Sequence, residues 1–176
     1  MPELETDRLI LRRWRARDRE PYDALTSDPE VMQWLGGVLD KHQSADHMDR
    51  MDSHFDHHGF GRWVIERRAD GAFLGYAGIQ TIWPGLPVTG VEMGWRLAHH
   101  AWGHGYASEA ARAAVVDGLG RCALPEVLAF TADSNLRSQA VMPRAGFTRD
   151  PSRDFDHPNL PPGDPLRRHL VYFAAA

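Results

Sequence analysis

The chain has 176 residues, of which 43% are hydrophobic and 25% are charged. This length supports one domain with a substantial core and is short for two. The formal net charge of -4, with histidines counted as neutral, opposes the basic excess that is typical of a general nucleic-acid-binding protein. We therefore expect one globular domain over residues 1–176, with no nucleic acid as its partner.

The cysteine content and the apolar runs bear on the compartment. Cys122 is the one cysteine, so the chain cannot form an internal disulfide and suits a reducing compartment. Residues 1–5 lack the charged and then apolar pattern of a secretory signal, and no run approaches the roughly 18 apolar residues of a membrane span. A cytoplasmic location without a membrane partner is the expectation.

Short elements are predicted at the start of the chain. Residues 9–11 are apolar and bounded by arginines, which predicts a first strand with solvated flanks, and residues 15–20 are predicted to form a charged connection. Two short helices follow. The second has a clear start, with Asp28 as the cap and Pro29 in the first turn, and the glycines at 36–37 end it.

The rest of the chain alternates strands and helices. Apolar residues three and four apart predict an amphipathic helix over residues 44–55, which Gly59 terminates. Strands are predicted over residues 62–67, 73–79, 91–97, 127–131 and 170–173. Helices are predicted over residues 106–119 and 136–142, and a proline-rich loop over residues 156–165. Antiparallel hairpins come first and crossover helices later, which predicts a mixed α/β fold.

The segment after the strand at 91–97 is the most informative for chemistry. Gly103 and Gly105 flank His104 directly before a long helix, so the backbone can approach a ligand closely, and the free N–H groups of the first turn favour a phosphate. A Walker loop needs Gly-Lys-Ser/Thr, but the only lysine is Lys41. A dinucleotide fingerprint needs glycine or alanine where Ser108 stands. Neither pattern fits this segment.

Residues 102–107 read Trp-Gly-His-Gly-Tyr-Ala. They resemble the pyrophosphate loop of the GNAT acyltransferase superfamily, Gln/Arg-x-x-Gly-x-Gly/Ala, with matches at Gly105 and Ala107 and with Trp102 in the first position. Six further segments are similar, in the right order, to the RimJ/RimL-type branch of that superfamily: residues 4–12, 28–32, 91–95, 135–142, 146–147 and 169–172. Together they cover nearly the whole chain.

The resemblance implies a single GNAT-like domain of the α/β (α+β) class, with a mixed, mostly antiparallel sheet flanked by helices. It implies direct transfer of an acetyl group from acetyl-CoA to a primary amine, either a protein N-terminus or a small amine. The pantetheine arm would run between the strands at 91–97 and 127–131. The implied coenzyme A contacts are Trp95, Leu97, Trp102, Gly103, His104, Gly105, Tyr106, Ala107, Ser108, Asn135 and Ser138. Homodimers are common in the branch.

The resemblance also implies three catalytic residues. Glu92 would accept the proton of the amine, directly or through water; the alternative is an ion-paired or solvent-facing glutamate. Ser138 would hydrogen-bond the sulfur, and Asn135 the pantetheine or the surroundings of the leaving group; the alternative for Asn135 is a helix cap. Met142 stands where many members carry a tyrosine, and a thioether cannot donate a proton, so the group that protonates the thiolate is open.

Two further pairs of roles are open at the loop. Trp102 either shields the bound ligand or packs on the sheet. Ser108 either contacts a phosphate or bonds an N–H group of the first helical turn.

A metal site and a nucleophilic cysteine are two further possibilities, and both have simpler structural alternatives. His54 and His58 could share one helical face as metal ligands, but Gly59 ends the helix and no cysteine completes a set, so no metal is expected. Cys122 is expected to be a packed residue and not a nucleophile. The competing function is a module that binds or senses coenzyme A without turnover.

The acceptor side carries no decisive specificity pattern. The elements expected there are Trp34, the helix before Gly59, the loop at 83–87 and the loop at 154–165. Asp154 and Asp156 in the last loop could attract a cationic acceptor, or they could be solvated loop residues.

Overall fold

Within residues 3–176, which the computed structural model describes, nine strands form one sheet. The strands are β1 (Leu4–Glu5), β2 (Leu9–Arg12), β3 (Arg62–Arg67), β4 (Phe73–Thr81), β5 (Val91–Leu97), β6 (Glu126–Ala132), β7 (Thr148–Arg149), β8 (Phe155–Asp156) and β9 (Arg168–Ala175). The helices are α1 (Arg19–Ser27), α2 (Pro29–Met32), α3 (Lys41–His58), α4 (Tyr106–Leu119) and α5 (Leu136–Arg144).

The strands follow the order β1-β2-β3-β4-β5-β6-β9-β7, and β8 pairs with β9. The pairs are antiparallel apart from β5 and β6, which run parallel. A parallel pair needs a crossover connection, and α4 supplies it. The predicted mixed, mostly antiparallel sheet flanked by helices is therefore confirmed.

One face of the sheet packs against α4. Ile79 of β4 lies opposite Met93 of β5, and a Cβ atom built on Gly118 of α4 would lie only 2.8 Å from Cδ1 of Ile79. Small residues of α4 are fully buried on this side, namely Ala110, Ala111 and Ala114. These small residues let α4 approach the sheet closely.

The opposite face of β4 and β5 packs against α1 and α3. Because side chains alternate along a strand, Tyr76 and its cross-strand partner Arg96 point away from α4. The Tyr76 ring lies 6.2 Å from the ring of Tyr22 in α1 and 6.5 Å from the ring of His47 in α3, centroid to centroid. The sheet is thus enclosed between α4 and the α1–α3 layer.

The first helical region differs from the prediction. The segment predicted as a charged connection contains a 3₁₀ turn, Ala16–Asp18, and α1 begins at Arg19. Asp18 is buried and accepts two hydrogen bonds from the guanidinium of Arg12, which also donates to Glu66. Arg12 is therefore a buried ion-pairing residue and not a solvated flank of its strand. Paired carboxylates are what make a buried guanidinium tolerable.

Helix boundaries also differ where capping decides them. Asp28 caps α2 as predicted, but the helix ends at Met32, before the two glycines. The third helix starts earlier than predicted because Asp40 and Gln43 form a reciprocal capping box, and it ends at Gly59 with a φ of 74°. The unpredicted strands β1, β7 and β8 contain two residues each. Strands that short have no periodicity to recognise.

Candidate functional site

The predicted phosphate loop lies between β5 and α4. Gly103 and Gly105 both have a φ of +80°, a conformation that residues with a Cβ rarely adopt. Gly105 is the N-cap of α4, and across residues 3–176 no side chain caps that end. The N–H groups of the first turn therefore point out of the helix without a side-chain partner, beside exposed residues 103–105. This arrangement suits a diphosphate.

The loop is fixed in place from the segment before β2. Arg8 donates from Nη1 to the carbonyl oxygen of His104 at 3.0 Å and from Nε to Oε2 of Glu109 at 2.7 Å. Its guanidinium carbon lies 4.7 Å from the centroid of the Tyr106 ring. Thr6 donates to the other carboxylate oxygen of Glu109 at 2.6 Å. These contacts could not be predicted from the sequence, because the residues that make them lie about a hundred positions apart.

The surroundings of Glu109 favour the ionised form of its carboxyl group. Burial alone would raise the pKa of this carboxyl, but the hydrogen bonds from Thr6 and Arg8 outweigh burial and hold the pKa below its ordinary value. An ionised Glu109 keeps the charge that Arg8 needs as a partner. The loop geometry therefore depends on an ion pair that sits outside the loop motif itself.

Trp102 links three elements around the loop. Its indole Nε1 donates to the carbonyl oxygen of Leu97 at 2.8 Å, and the guanidinium carbon of Arg137 lies 4.4 Å from its ring. The half-buried ring also packs against the core. Packing is thus the role that the structure shows for Trp102. It holds the end of β5 and the start of α5 together, and it occupies the carbonyl of Leu97.

The parallel strands β5 and β6 meet at one residue pair, Glu92 opposite Leu128. By contrast, β4 pairs with β5 through seven residue pairs, and so does β6 with β9. The carboxyl-terminal parts of β5 and β6, residues 93–97 and 129–132, lie beyond the pair. Trp95 and Leu97 are on this stretch of β5. The pairing of β5 and β6 therefore ends at this point, between the two strands where a pantetheine arm was expected.

Glu92 stands where this pairing ends, on the face of β5 that is turned away from α4. Its side chain is 15% exposed, and Oε1 accepts hydrogen bonds from Nη2 of Arg62 at 2.8 Å and from Nε2 of Gln80 at 3.1 Å. Burial raises the pKa of Glu92, although Arg62 and Gln80 act against the increase. The carboxylate is ion-paired, and at the same time it is a stronger proton acceptor than an exposed glutamate.

The start of α5 lies beside the end of β5, as the contact between Arg137 and Trp102 shows. Asn135 is buried, and its Oδ1 accepts a hydrogen bond from the backbone N–H of Ser138 at 3.1 Å. The cap predicted as the alternative is therefore present, but it uses Oδ1 alone and leaves Nδ2 for another partner. The side chain of Ser138 is half-buried. Met142 is 1% exposed and belongs to the core.

Cys122 lies past the far end of α4, away from the loop. It is half-buried, its Sγ is 3.9 Å from Oδ2 of Asp117, and burial raises the pKa of the thiol. A thiol in these surroundings stays protonated and is a poor nucleophile.

The histidines at the end of α3 have structural partners. His54 Nδ1 contacts the carbonyl oxygen of Phe60 at 2.9 Å, and its Nε2 accepts from the backbone N–H of Thr81 at 3.3 Å. The described part of the chain holds no group of three or more His, Cys, Asp or Glu residues placed to bind a metal ion. It also has no helix long and apolar enough to cross a bilayer.

The acidic residues expected on the acceptor side are already neutralised. Asp154 is held by Arg149 at 2.5 Å and accepts from the backbone N–H of Val171 at 3.0 Å. Asp156 pairs with Arg167 at 3.3 Å and Arg168 at 3.4 Å. Asp154 is therefore buried as well as paired, while Asp156 is paired and half exposed. By contrast, the cavity between β5, α2 and α3 is lined by Arg50 and Arg96.

Comparisons with known proteins agree with this geometry. The family described as the acetyltransferase (GNAT) domain matches residues 8–148. An uncharacterised protein of Bacillus subtilis, YkkB, is 31% identical over 152 residues, covering 82% of this chain and 84% of its own. An FsC-acetyl coenzyme A-N(2)-transacetylase of Aspergillus fumigatus is 31% identical over 176 residues, covering 92% and 72%. An acetyltransferase structure from Agrobacterium tumefaciens shares 29% identity, with a TM-score of 0.81 and coverage of 100% and 95%.

The chain belongs to the GNAT acetyltransferase family. It is an N-acetyltransferase of that family and uses acetyl-CoA as the acetyl donor. This assignment decides against a module that binds coenzyme A without turnover.

Proposed function

We propose that the enzyme acetylates a primary amine by direct attack on the thioester and that Glu92 accepts the proton of the amine. The observation that carries this proposal is the position of Glu92, a largely buried carboxylate with a raised pKa at the one residue pair between β5 and β6. The amine nitrogen bonds to the acetyl carbon, the carbon–sulfur bond breaks, and the nitrogen proton passes to Glu92 directly or through water. The products are an amide and the thiol of coenzyme A.

A base is needed because amines with a pKa of roughly 8 to 10 are mostly protonated at neutral pH. Burial makes the Glu92 carboxylate a better acceptor, and the bond from Arg62 fixes its orientation. A backbone N–H beyond Trp95 is suited to hold the carbonyl oxygen as negative charge develops. In this proposal Asn135 and Ser138 contact the sulfur end of the donor.

In the same proposal the diphosphate of the donor lies on the backbone of Gly103, His104, Gly105, Tyr106, Ala107 and Ser108. The pantetheine arm follows the free part of β5 past Trp95 and Leu97. Support comes from the positive φ angles of both glycines and from the uncapped start of α4. Arg8, paired with Glu109, lies next to this segment, because its Nη2 is 3.6 Å from the place of a Cβ atom on Gly105.

The finer classification is part of the proposal. We place the chain in the RimJ/RimL-type branch, as one acetyltransferase domain over residues 1–176. The collinear segments around Asp28, Asn135 and the first strand support the branch, and the single sheet from Leu4 to Ala175 supports the domain. The acceptor is a small amine or a protein N-terminus.

The substitution Glu92→Gln tests the role of the base. It keeps the shape of the side chain and removes the proton acceptor, so we expect turnover to fall by about 100-fold or more while the affinity for acetyl-CoA changes little. The alkaline pH optimum should move upward, because the amine must then lose its proton to solvent. Steady-state rates from pH 6 to 10 and calorimetric titration of coenzyme A measure the two effects.

A matched control is Glu126→Gln, which also removes a glutamate that is ion-paired on a strand, here to Arg153. Acceptors of low pKa give a second control, because they arrive deprotonated and should shrink the defect of Glu92→Gln. Wild-type rates of Glu92→Gln at every pH would remove this residue from the mechanism.

A further inference from the structure

Arg96 is a buried cation without a carboxylate partner. The residue is 9% exposed and lies on the α1–α3 face of β5. Its Nε and Nη1 atoms are buried and have no hydrogen-bond partner among residues 3–176. The other deeply buried arginine, Arg12, pairs with Asp18 and Glu66. An unpaired buried guanidinium is costly, so a missing anionic partner is the natural explanation.

The guanidinium of Arg96 borders a cavity of about 340 Å³ between β5, α2 and α3. Arg50 and His47 of α3 are polar lining residues, and Met32 and Leu35 form part of an apolar wall. Asp46 also lines the cavity, but its carboxylate is half exposed and contacts Nδ1 of His42 at 3.2 Å. The cavity therefore combines two arginines with an apolar wall.

The electrostatic surroundings favour an anion in this cavity. The pKa of His47 is lowered to about 3 by burial and by the charges of Arg96, Arg62 and Arg50, so this side chain is neutral at pH 7. Arg62 is compensated by Glu92. In the part of the chain that the structure describes, no ion pair compensates Arg50 or Arg96.

Arg62 lies between this cavity and the proposed catalytic carboxylate. This residue donates to Glu92, and its guanidinium carbon lies 5.8 Å from the Tyr76 ring centroid, while that of Arg96 lies 5.4 Å from the same ring. Glu92 and Arg96 are on one face of one strand, about 13 Å apart at Cα for four residues of rise. An acceptor that reaches both must extend past Arg62, whose Nη2 would lie 2.6 Å from a Cβ atom on Gly94, the residue between them on this face.

Resting on the function proposed above, we propose that this cavity is the acceptor subsite and that Arg96, with Arg50, binds a carboxylate of the acceptor. The acceptor class is then a small amine that also carries a carboxylate, as an amino acid does, with its apolar part against Leu35. A guanidinium recognises a carboxylate through two parallel hydrogen bonds, which gives orientation as well as affinity. Arg96 would thereby direct the amine toward Glu92.

The test uses acceptor pairs that differ only in the carboxylate: lysine and cadaverine, ornithine and putrescine, tyrosine and tyramine, phenylalanine and phenethylamine. We expect kcat/KM to be at least 10-fold higher for the carboxylated members. Arg96→Gln should bring this ratio close to one, mainly by raising KM for the acids, and Arg96→Lys should keep part of it. Arg68→Gln, a change of an exposed arginine away from the cavity, should leave the ratio unchanged.

The outcomes separate this inference from the proposed function. Turnover with equal or better use of the decarboxylated amines would overturn the carboxylate subsite and leave the acetyltransferase mechanism intact. Binding of coenzyme A without turnover of any amine would instead count against the proposed function.

A binding assay keeps the proposal testable if no amine is turned over or if Arg96→Gln does not fold. Melting temperatures are measured with coenzyme A plus N-acetyl amino acids or the matching N-acetyl amines, in the wild type and in Arg50→Gln, which changes an exposed residue. Stabilisation by the acids alone, weakened in the variant, supports the subsite. Equal effects of acids and amines overturn it.

Discussion

The phosphate loop can be tested by placing a negative charge on it at Gly105. This residue has a φ of +80° and a ψ of 3°, and a Cβ atom added there would meet only Nη2 of Arg8, at 3.6 Å. There is room for a side chain, so Gly105→Glu should fold, at a cost of roughly 1 to 2 kcal/mol for the left-handed conformation. Gly71, with a φ of +71° and open space around it, provides the same strain in the turn between β3 and β4.

The expected loss of affinity follows from Coulomb's law. Two like charges about 4 Å apart repel by about 1 kcal/mol in water and by about 4 kcal/mol at the effective dielectric constant of a protein surface. The diphosphate carries more than one charge, and Arg8, which is already paired with Glu109, offsets little of the repulsion. An intermediate value of about 3 kcal/mol corresponds to roughly 100-fold weaker binding of coenzyme A.

The assay is calorimetric titration of coenzyme A into the wild type, Gly105→Glu, Gly105→Gln and Gly71→Glu. Gly105→Gln has the same size without the charge, so the difference between the two Gly105 variants isolates electrostatics. That difference should shrink between 0.1 M and 1 M salt, because the screening length falls from about 10 Å to about 3 Å. If Gly105→Glu binds coenzyme A as the wild type does, the diphosphate lies elsewhere.

Two further predictions concern residues away from the loop. Cys122→Ala should keep kcat within about twofold, because a protonated thiol beyond the far end of α4 takes no part in direct transfer; loss of activity in a folded variant would contradict that mechanism. For His47, the folded pKa of about 3 lies below the ordinary 6.5, so the unfolded chain binds the proton more readily and stability falls as the pH drops through 6.5 toward 3. At about 1.4 kcal/mol per pH unit, His47→Gln should remove about 2 kcal/mol of the loss between pH 6.5 and pH 5 in urea unfolding, and an unchanged loss would argue against a neutral His47.

Some elements could be predicted to the residue because their ends are marked locally. The strands Arg62–Arg67 and Val91–Leu97 and the helix Tyr106–Leu119 were predicted with the bounds that the structure has. Glycines or a turn precede or follow each of them. By contrast, the start of α1 was hidden inside a run of charges, since Asp18 at that point is fixed by an ion pair to Arg12 and not by a sequence motif.

The same distinction between local and long-range features applies to the candidate site. The loop glycines and Glu92 could be singled out from sequence, because backbone conformation and a family motif are local properties. Their partners could not: Glu109 is held by a residue 101 positions away, and Glu92 by one 30 positions away. The only sequence signal for these partners was the alternation of side chains between the two faces of the sheet. Arg62, Glu92 and Arg96 are charged residues at positions of a mostly apolar sheet that share one face.

In the proposed function, that alternation lets one strand serve two substrates. The odd-numbered residues of β5, such as Met93 and Leu97, point toward α4, whose uncapped start offers N–H groups to the donor. The even-numbered residues Glu92 and Arg96 point to the opposite face, where the cavity lies. A donor and an acceptor held on opposite faces can react only where the sheet is open. The sheet opens where β5 and β6 part, and Glu92 is the carboxylate at that point.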